Sequence, residues 1–77
     1  MKIKVGHHYE LLLKERKIAF SVLYGFERGK NKNVYTLMMY TDQKNFEFPI
    51  KEELFDKWVK DERIKEITPD EILAYTI

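Results

Sequence analysis

The sequence lacks cysteine and holds only one serine, three glycines and two prolines among its 77 residues. The absence of cysteine excludes disulfide cross-links, thiolate metal ligands and cysteine nucleophiles. The single serine, Ser21, lies in an apolar run without the turn pattern that surrounds a nucleophilic serine. The glycines are too scattered to form a phosphate-binding loop or a dinucleotide fingerprint. Enzyme activity is therefore not expected of this chain.

Long apolar runs are absent as well. The longest uninterrupted stretches hold three or four apolar residues, whereas a helix that spans a bilayer needs about 20. The first residues include Lys2 and Lys4 but no apolar core of signal-peptide length and no small-residue cleavage site. We expect no membrane segment and a cytoplasmic location.

The composition is that of a folded domain. Hydrophobic residues make up 44% of the chain and charged residues 35%, which differs from the mix that leaves chains disordered. A chain of this length has room for one domain, residues 1–77, with a modest core. Its abundance of Lys, Ile, Asn and Tyr fits an AT-rich genome, including that of a phage or other mobile element.

The net charge of +1 hides an asymmetry between the two parts of the chain. Residues 1–50 carry nine Lys and Arg against five Asp and Glu, whereas residues 51–77 carry five against eight. A bipolar surface can orient an encounter with a charged partner or with another copy of the chain. It does not attract nucleic acid strongly as a whole.

Large side chains alternate with mostly small ones over residues 18–26. Because a strand points successive side chains to opposite faces, this pattern predicts a strand with one thick apolar ridge and one thin face. The ridge consists of Ile18, Phe20, Val22, Tyr24 and Phe26, and the thin face includes Ala19, Ser21 and Gly25.

Four other stretches are expected to be extended: 5–13, 34–41, 46–50 and 63–67. The first also fits helical spacing, but a strand there can pair with the next one through the polar turn at 14–17. The stretch 34–41 carries large apolar side chains on both faces and should be covered on both sides. Pro49 cannot donate a ladder hydrogen bond, so it marks an edge or the end of its strand.

Two helices are expected in the second half. Leu54, Phe55, Trp58 and Val59 form an apolar stripe at helical spacing, which predicts an amphipathic helix near 51–61. The run Thr68-Pro69-Asp70-Glu71 is a capping box, in which Thr68 and Glu71 each satisfy a backbone amide of the other. It predicts a short terminal helix over 69–75.

These elements predict a small α+β domain. Its sheet would be an antiparallel meander of four or five strands, either open or closed like an SH3-type barrel, because alternation does not determine closure. The helix that carries Trp58 would cover one face of the sheet and leave no cavity that could serve as an active site.

Residues that resemble a metal or acid–base site have simpler interpretations. His7 and His8 are adjacent, so on a strand they point to opposite faces, and no third His or Cys completes a zinc site. Neighbouring carboxylates fall at helix starts or on charged helix faces, where they favour the helix dipole: Glu52-Glu53, Asp61-Glu62 and Asp70-Glu71. No catalytic residue, metal, cofactor or small-molecule ligand is predicted.

A protein contact is the first functional hypothesis. If the sheet is open, Leu23, Met38 and Tyr40 remain as an apolar patch on the side away from the helix, and such patches mark protein contacts. The small residues Ala19, Ser21 and Gly25 would let another backbone or helix approach closely. The chain would then be a non-catalytic module that self-associates, or that acts as an adaptor or inhibitor of a larger partner.

Nucleic-acid binding is the alternative hypothesis. Arg28, Lys30 and Lys32 are expected to form a basic hairpin tip, with Lys44 behind it. Small barrels bind single strands by stacking bases on strand aromatics while Lys and Arg contact phosphates. The acidic second half of the chain would repel a polyanion, which favours the protein-contact hypothesis.

Overall fold

The computed structural model describes residues 1–27, 33–41 and 44–76. Its strands are β1 (His8–Leu13), β2 (Arg16–Glu27), β3 (Asn33–Tyr40), β4 (Asn45–Lys51) and β5 (Ile64–Ile67), and its helices are α1 (Glu52–Lys60) and α2 (Pro69–Thr76). Both predicted helices are confirmed to within one residue at each end. Within the described ranges, neither helix has the length and apolar character needed to cross a bilayer.

The strands form one antiparallel sheet in the order β4-β3-β2-β1-β5. The first four strands follow one another as a meander, and α1 then carries the chain across the sheet so that β5 pairs with β1. The predicted α+β class is therefore confirmed, but the barrel alternative is not. Because β5 returns to the β1 edge rather than to β4, the two outer strands do not meet and the sheet stays open.

The first strand resolves the ambiguity of residues 5–13. β1 pairs with β2 from His8 opposite Ser21 to Leu13 opposite Arg16, with a turn at residues 14–15 between them. Tyr9 and Leu11 are both buried, since period-two spacing sends them to the same face. The strand interpretation is confirmed for His8–Leu13, whereas residues 5–6 form a turn.

The main core lies between the sheet and α1. Its buried members are Ile3, Tyr9, Leu11, Ile18, Phe20, Val22, Leu37, Met39, Ile50 and Phe55. The ring of Phe55 packs edge-on against the ring of Tyr9 at a centroid distance of 5.2 Å. The ring centroids of Trp58 and Phe20 lie 6.1 Å apart. Phe55, Trp58 and Val59 of the predicted stripe thus cover the centre of this face, whereas Leu54 is 37% exposed.

The N-terminal segment closes one end of this core. Ile3 is buried, and the fully buried ring of Tyr9 places its hydroxyl against residues 2–4. That hydroxyl accepts a hydrogen bond from the Lys4 amide at 3.1 Å and donates one to the Lys2 carbonyl at 3.3 Å. A buried tyrosine needs such partners, and burial raises the pKa of Tyr9.

The long strand β2 is interrupted by a β-bulge at Leu23. Its pairing with β3 runs to Val22 opposite Leu37 and resumes with Tyr24 opposite Thr36, so Leu23 is an extra residue without a partner. A slip of one residue exchanges the two faces of a strand for everything that follows. Residues 24–26 therefore point opposite to the directions that uninterrupted alternation predicts.

The predicted apolar ridge is correct only as far as Val22. Ile18, Phe20 and Val22 are buried on the α1 side, whereas Tyr24 and Phe26 lie on the other face, 45% and 59% exposed. The assignment of these two aromatics to the ridge was wrong because alternation of residue types does not reveal an inserted residue.

The second helix begins at the predicted capping box. The Thr68 amide donates to Oε1 of Glu71 and the Glu71 amide donates to Oγ1 of Thr68, each at 3.1 Å. The backbone hydrogen bond from Thr68, aided by its side chain, lowers the pKa of Glu71. α2 packs Ile72 against Ala19 and Ile67, on the face of the sheet opposite α1.

Candidate functional site

The face of the sheet opposite α1, here named the reverse face, is only partly covered. α2 lies over one end of it, where Ala19 is fully buried together with Ile67 and Ile72, and Tyr40 and Tyr75 pack beside them. The small side chain of Ala19 does admit a helix at close range, and that helix is the chain's own α2.

A polar network borders this covered end. Nδ1 of His8 lies 2.7 Å from Oγ of Ser21, which lies 3.4 Å from the Tyr40 hydroxyl. Sequence reasoning missed the contact between His8 and Ser21, because it depends on the register that places these two residues directly opposite each other.

The pair formed by His8 and Ser21 has the composition of a nucleophile and its base, but its position favours a structural role. Ser21 is 7% exposed and lies in the ladder between β1 and β3. Acyl transfer needs an accessible hydroxyl and free amides that stabilise an oxyanion, and backbone amides inside a ladder are already bonded. The contacts instead satisfy the polar atoms of a buried serine.

The neighbouring His7 has a different partner. Its Nδ1 lies 3.1 Å from Oε2 of Glu66, with both side chains 42% exposed. This pair lies in a surface cleft of about 400 Å³ that also contains Gly6, Thr68 and Pro69. Over residues 1–27, 33–41 and 44–76, no three His, Cys, Asp or Glu side chains are grouped so that they could hold a metal ion.

A second polar contact fastens α2 to the sheet. The Tyr75 hydroxyl donates to Oε2 of Glu10 at 2.6 Å, and Nζ of Lys17 lies 4.0 Å from Oε1 of the same carboxylate. The hydrogen bond to Glu10 favours the protonated phenol and, with burial, raises the pKa of Tyr75 to about 12.

This contact predicts a pH dependence. Because the folded-state pKa of Tyr75 is raised, its contribution to stability is fully present below its unfolded value of about 10 and is lost as the pH rises toward about 12. Replacing Glu10 by glutamine should move the ultraviolet tyrosinate titration of Tyr75 to lower pH, with Tyr75→Phe identifying its signal. Glu15→Gln, in the exposed β1–β2 turn, should leave the titration unchanged. An unchanged Tyr75 titration in Glu10→Gln would contradict the contact.

The rest of the reverse face is uncovered and apolar. Its exposed or half-buried apolar side chains, here named the open patch, are Leu23, Tyr24, Phe26, Val34 and Met38. The rings of Tyr24 and Phe26 contact each other edge-on at 5.5 Å. No helix of the described chain lies over these residues, so the patch is a surface that another molecule can reach.

The open patch overlaps the predicted protein-contact residues only in part. Leu23, 37% exposed, and the half-buried Met38 belong to it. Ser21 is buried and Tyr40 packs near α2, so these two lie at the covered end instead. Sequence reasoning missed Tyr24 and Phe26, the most exposed aromatics of the patch, because the bulge was not foreseen.

Only one of the four residues of the nucleic-acid hypothesis lies in the part of the chain that the structure describes. Arg28, Lys30 and Lys32 lie outside the described residues. Lys44 is exposed in the connection from β3 to β4. The nucleic-acid hypothesis therefore stays a prediction.

A smaller apolar group is exposed on the α1 side. Phe46 and Phe48, on the outer strand β4, are 37% and 44% exposed, and Leu54 on α1 is 37% exposed. The two phenylalanine rings lie 6.4 Å apart. This group sits at the margin of the main core, where α1 rises beside β4.

Fold and surface together define a small α+β protein in which α1 covers the centre of one sheet face and the other face is partly open. Comparisons of the chain with protein-family models, curated proteins and solved structures give no match.

Proposed function

We propose that this chain is a non-catalytic binding module that docks an apolar protein surface on the open patch. The supporting observation is the bulge at Leu23, which places Tyr24 and Phe26 on an uncovered sheet face next to Met38. Aromatic residues and methionine are enriched in the cores of protein interfaces and poor candidates for free exposure to water.

The two outer strands of the sheet favour contact through the face rather than by strand addition. On one edge, Pro49 removes a backbone donor from β4. On the other, β5 has four residues, and its central Lys65 and Glu66 are exposed and charged. Proline, charge and short length are the features that keep edge strands from pairing with other chains.

The open patch is also better suited to docking than the apolar group on the α1 side. Phe46 and Phe48 lie on an outer strand beside α1, so a partner would contact an uneven surface formed by a strand and a helix. Tyr24 and Phe26 lie on the part of β2 that extends past the β1 pairing and pairs with β3, and β3 extends the same surface through Val34 and Met38.

Photo-crosslinking tests the proposal with a matched pair of positions. Benzoylphenylalanine would replace Tyr24 in one variant and Phe48 in the other, because these side chains are 45% and 44% exposed on opposite faces of the sheet. We expect irradiation of cells that express the protein to give protein adducts from position 24 and few from position 48. Phe26→Asp should reduce the adduct from position 24 at least about tenfold, as loss of an interface anchor does.

The opposite pattern would overturn the proposal. Adducts from position 48 but not from position 24 would place the contact on the α1 side, and an adduct with nucleic acid at position 24 would support the alternative class of partner. Circular dichroism of Phe26→Asp should match that of the parent, so that a lost adduct is not caused by unfolding.

A further inference from the structure

We infer that the molecule docked on the open patch is a second copy of this chain, packed face to face about a two-fold axis. This inference rests on the proposed function and adds the identity of the partner and its orientation. It depends on how the strand register arranges apolar and charged residues across the reverse face.

The register aligns the reverse-face residues in rows that run across the strands. The middle row of the open patch contains Tyr24, Thr36 and Pro49. On one side lies a row with Phe26, Val34 and Lys51, and on the other a row with Ser21, Met38 and Glu47. The two flanking rows thus end, on the same strand β4, in charges of opposite sign.

A two-fold axis along the middle row makes this surface complementary to itself. Such an axis, lying between two stacked sheets, keeps each strand above its own counterpart and reverses its direction. Val34 then faces Met38 of the second copy, and Lys51 faces Glu47 of the second copy. Sheets pack in this way about 10 Å apart and within about 30° of alignment, so the rows stay in reach of each other.

The two charges are available for such a contact. Glu47 and Lys51 are both exposed, and neither takes part in an ion pair among residues 1–27, 33–41 and 44–76. They lie at the margin of the open patch, where complementary charges guide orientation and partner choice. A two-fold interface uses the same patch twice, so each dimer would contain this pair two times.

The position of α2 is compatible with the same axis. α2 stands at the end of the reverse face where Ala19, Tyr40 and Asn45 form the next row. Because the axis reverses the direction of the strands, the helices of the two copies lie at opposite ends of the interface and do not compete for one place.

Charge reversal gives a specific test of this arrangement. Glu47→Lys and Lys51→Glu should each bring two pairs of like charges together in the dimer, and sedimentation should show self-association weakened about tenfold. An equimolar mixture of the two variants should restore association to near the wild-type level, because the mixed dimer contains two pairs of opposite charge. Glu15→Lys and Lys14→Glu, in the turn at the far end of β2, are the matched controls and should associate like the wild type.

The outcomes separate this inference from the proposed function. If the wild type sediments as a monomer while position 24 still forms adducts with another protein, the second-copy inference is wrong and the docking function stands. If no protein adduct forms at position 24, the docking function itself fails. If the wild type dimerises but the mixture associates no better than either variant alone, the proposed axis is wrong.

Discussion

Replacing Phe55 by alanine is expected to destabilise the fold by about 3–5 kcal/mol, the usual cost of removing a fully buried phenylalanine. Phe55 is 0% exposed and is the buried residue through which α1 reaches the main core. Its ring packs edge-on against Tyr9, whose hydroxyl in turn holds the N-terminal segment. The loss of this ring therefore weakens the packing of α1 and of the N-terminal segment at the same time.

Urea unfolding followed by circular dichroism measures this cost. A small domain has only about 5–15 kcal/mol of stability in total, so the midpoint should fall steeply or the variant should be partly unfolded in buffer. Leu54→Ala, one residue earlier on α1 and 37% exposed, is the matched control and should cost less than about 1 kcal/mol. Equal costs for the two variants would mean that the helix packs through a different face.

Replacing Gly25 by alanine is expected to cost about 1–3 kcal/mol, because the new methyl group overpacks a filled position. A Cβ atom at Gly25 would lie 2.7 Å from both Cδ1 and Cε1 of Tyr35. The ring cannot turn away freely, since its hydroxyl donates to Oε2 of Glu52 at 3.1 Å. The missing side chain thus makes room for the aromatic residue on the opposite strand.

A double-mutant cycle isolates this steric contact. In a Tyr35→Ala background, Gly25→Ala should be neutral or slightly stabilising, because alanine is favoured over glycine inside a strand where space allows. Unfolding by urea of the four proteins gives the coupling energy. The same cost in both backgrounds would show that Gly25 does not face Tyr35, and would contradict the bulge.

The sequence predicts those parts of the fold that depend on local spacing. Period-two alternation locates the strands, the stripe from Leu54 to Val59 locates α1, and the capping box at Thr68 locates the first turn of α2. Each of these signals acts within a few residues, where side-chain direction follows directly from the backbone period. A polar turn between β1 and β2 is predicted for the same reason, but it covers residues 14–15 rather than 14–17 because β2 begins at Arg16.

The parts that could not be predicted depend on pairing between distant residues. The contact of His8 with Ser21 requires the register of two strands, and the open sheet depends on β5 returning to β1. Ala19 was recognised as a small residue that admits a close neighbour, but spacing did not show that the neighbour is α2. Closure and register are long-range properties that alternation leaves undetermined.

The bulge has the largest effect on the candidate site. Uninterrupted alternation would bury Tyr24 and Phe26 beneath α1 and place Gly25 on the reverse face. One extra residue reverses the direction of all three side-chain positions. Gly25 therefore faces Tyr35 on the α1 side, and both aromatic side chains lie on the reverse face. Bulges re-aim side chains near functional surfaces in many sheets, and here the result is the open patch.

Nuclear Overhauser contacts of residues 24–26 test this central claim most directly. We expect the Cα protons of Gly25 to show strong contacts with the ring of Tyr35, and the ring of Tyr24 to contact the side chain of Thr36 and the ring of Phe26. Contacts from the rings of Tyr24 and Phe26 to Trp58 on α1, with none between Gly25 and the Tyr35 ring, would contradict the bulge and remove the basis of the docking surface.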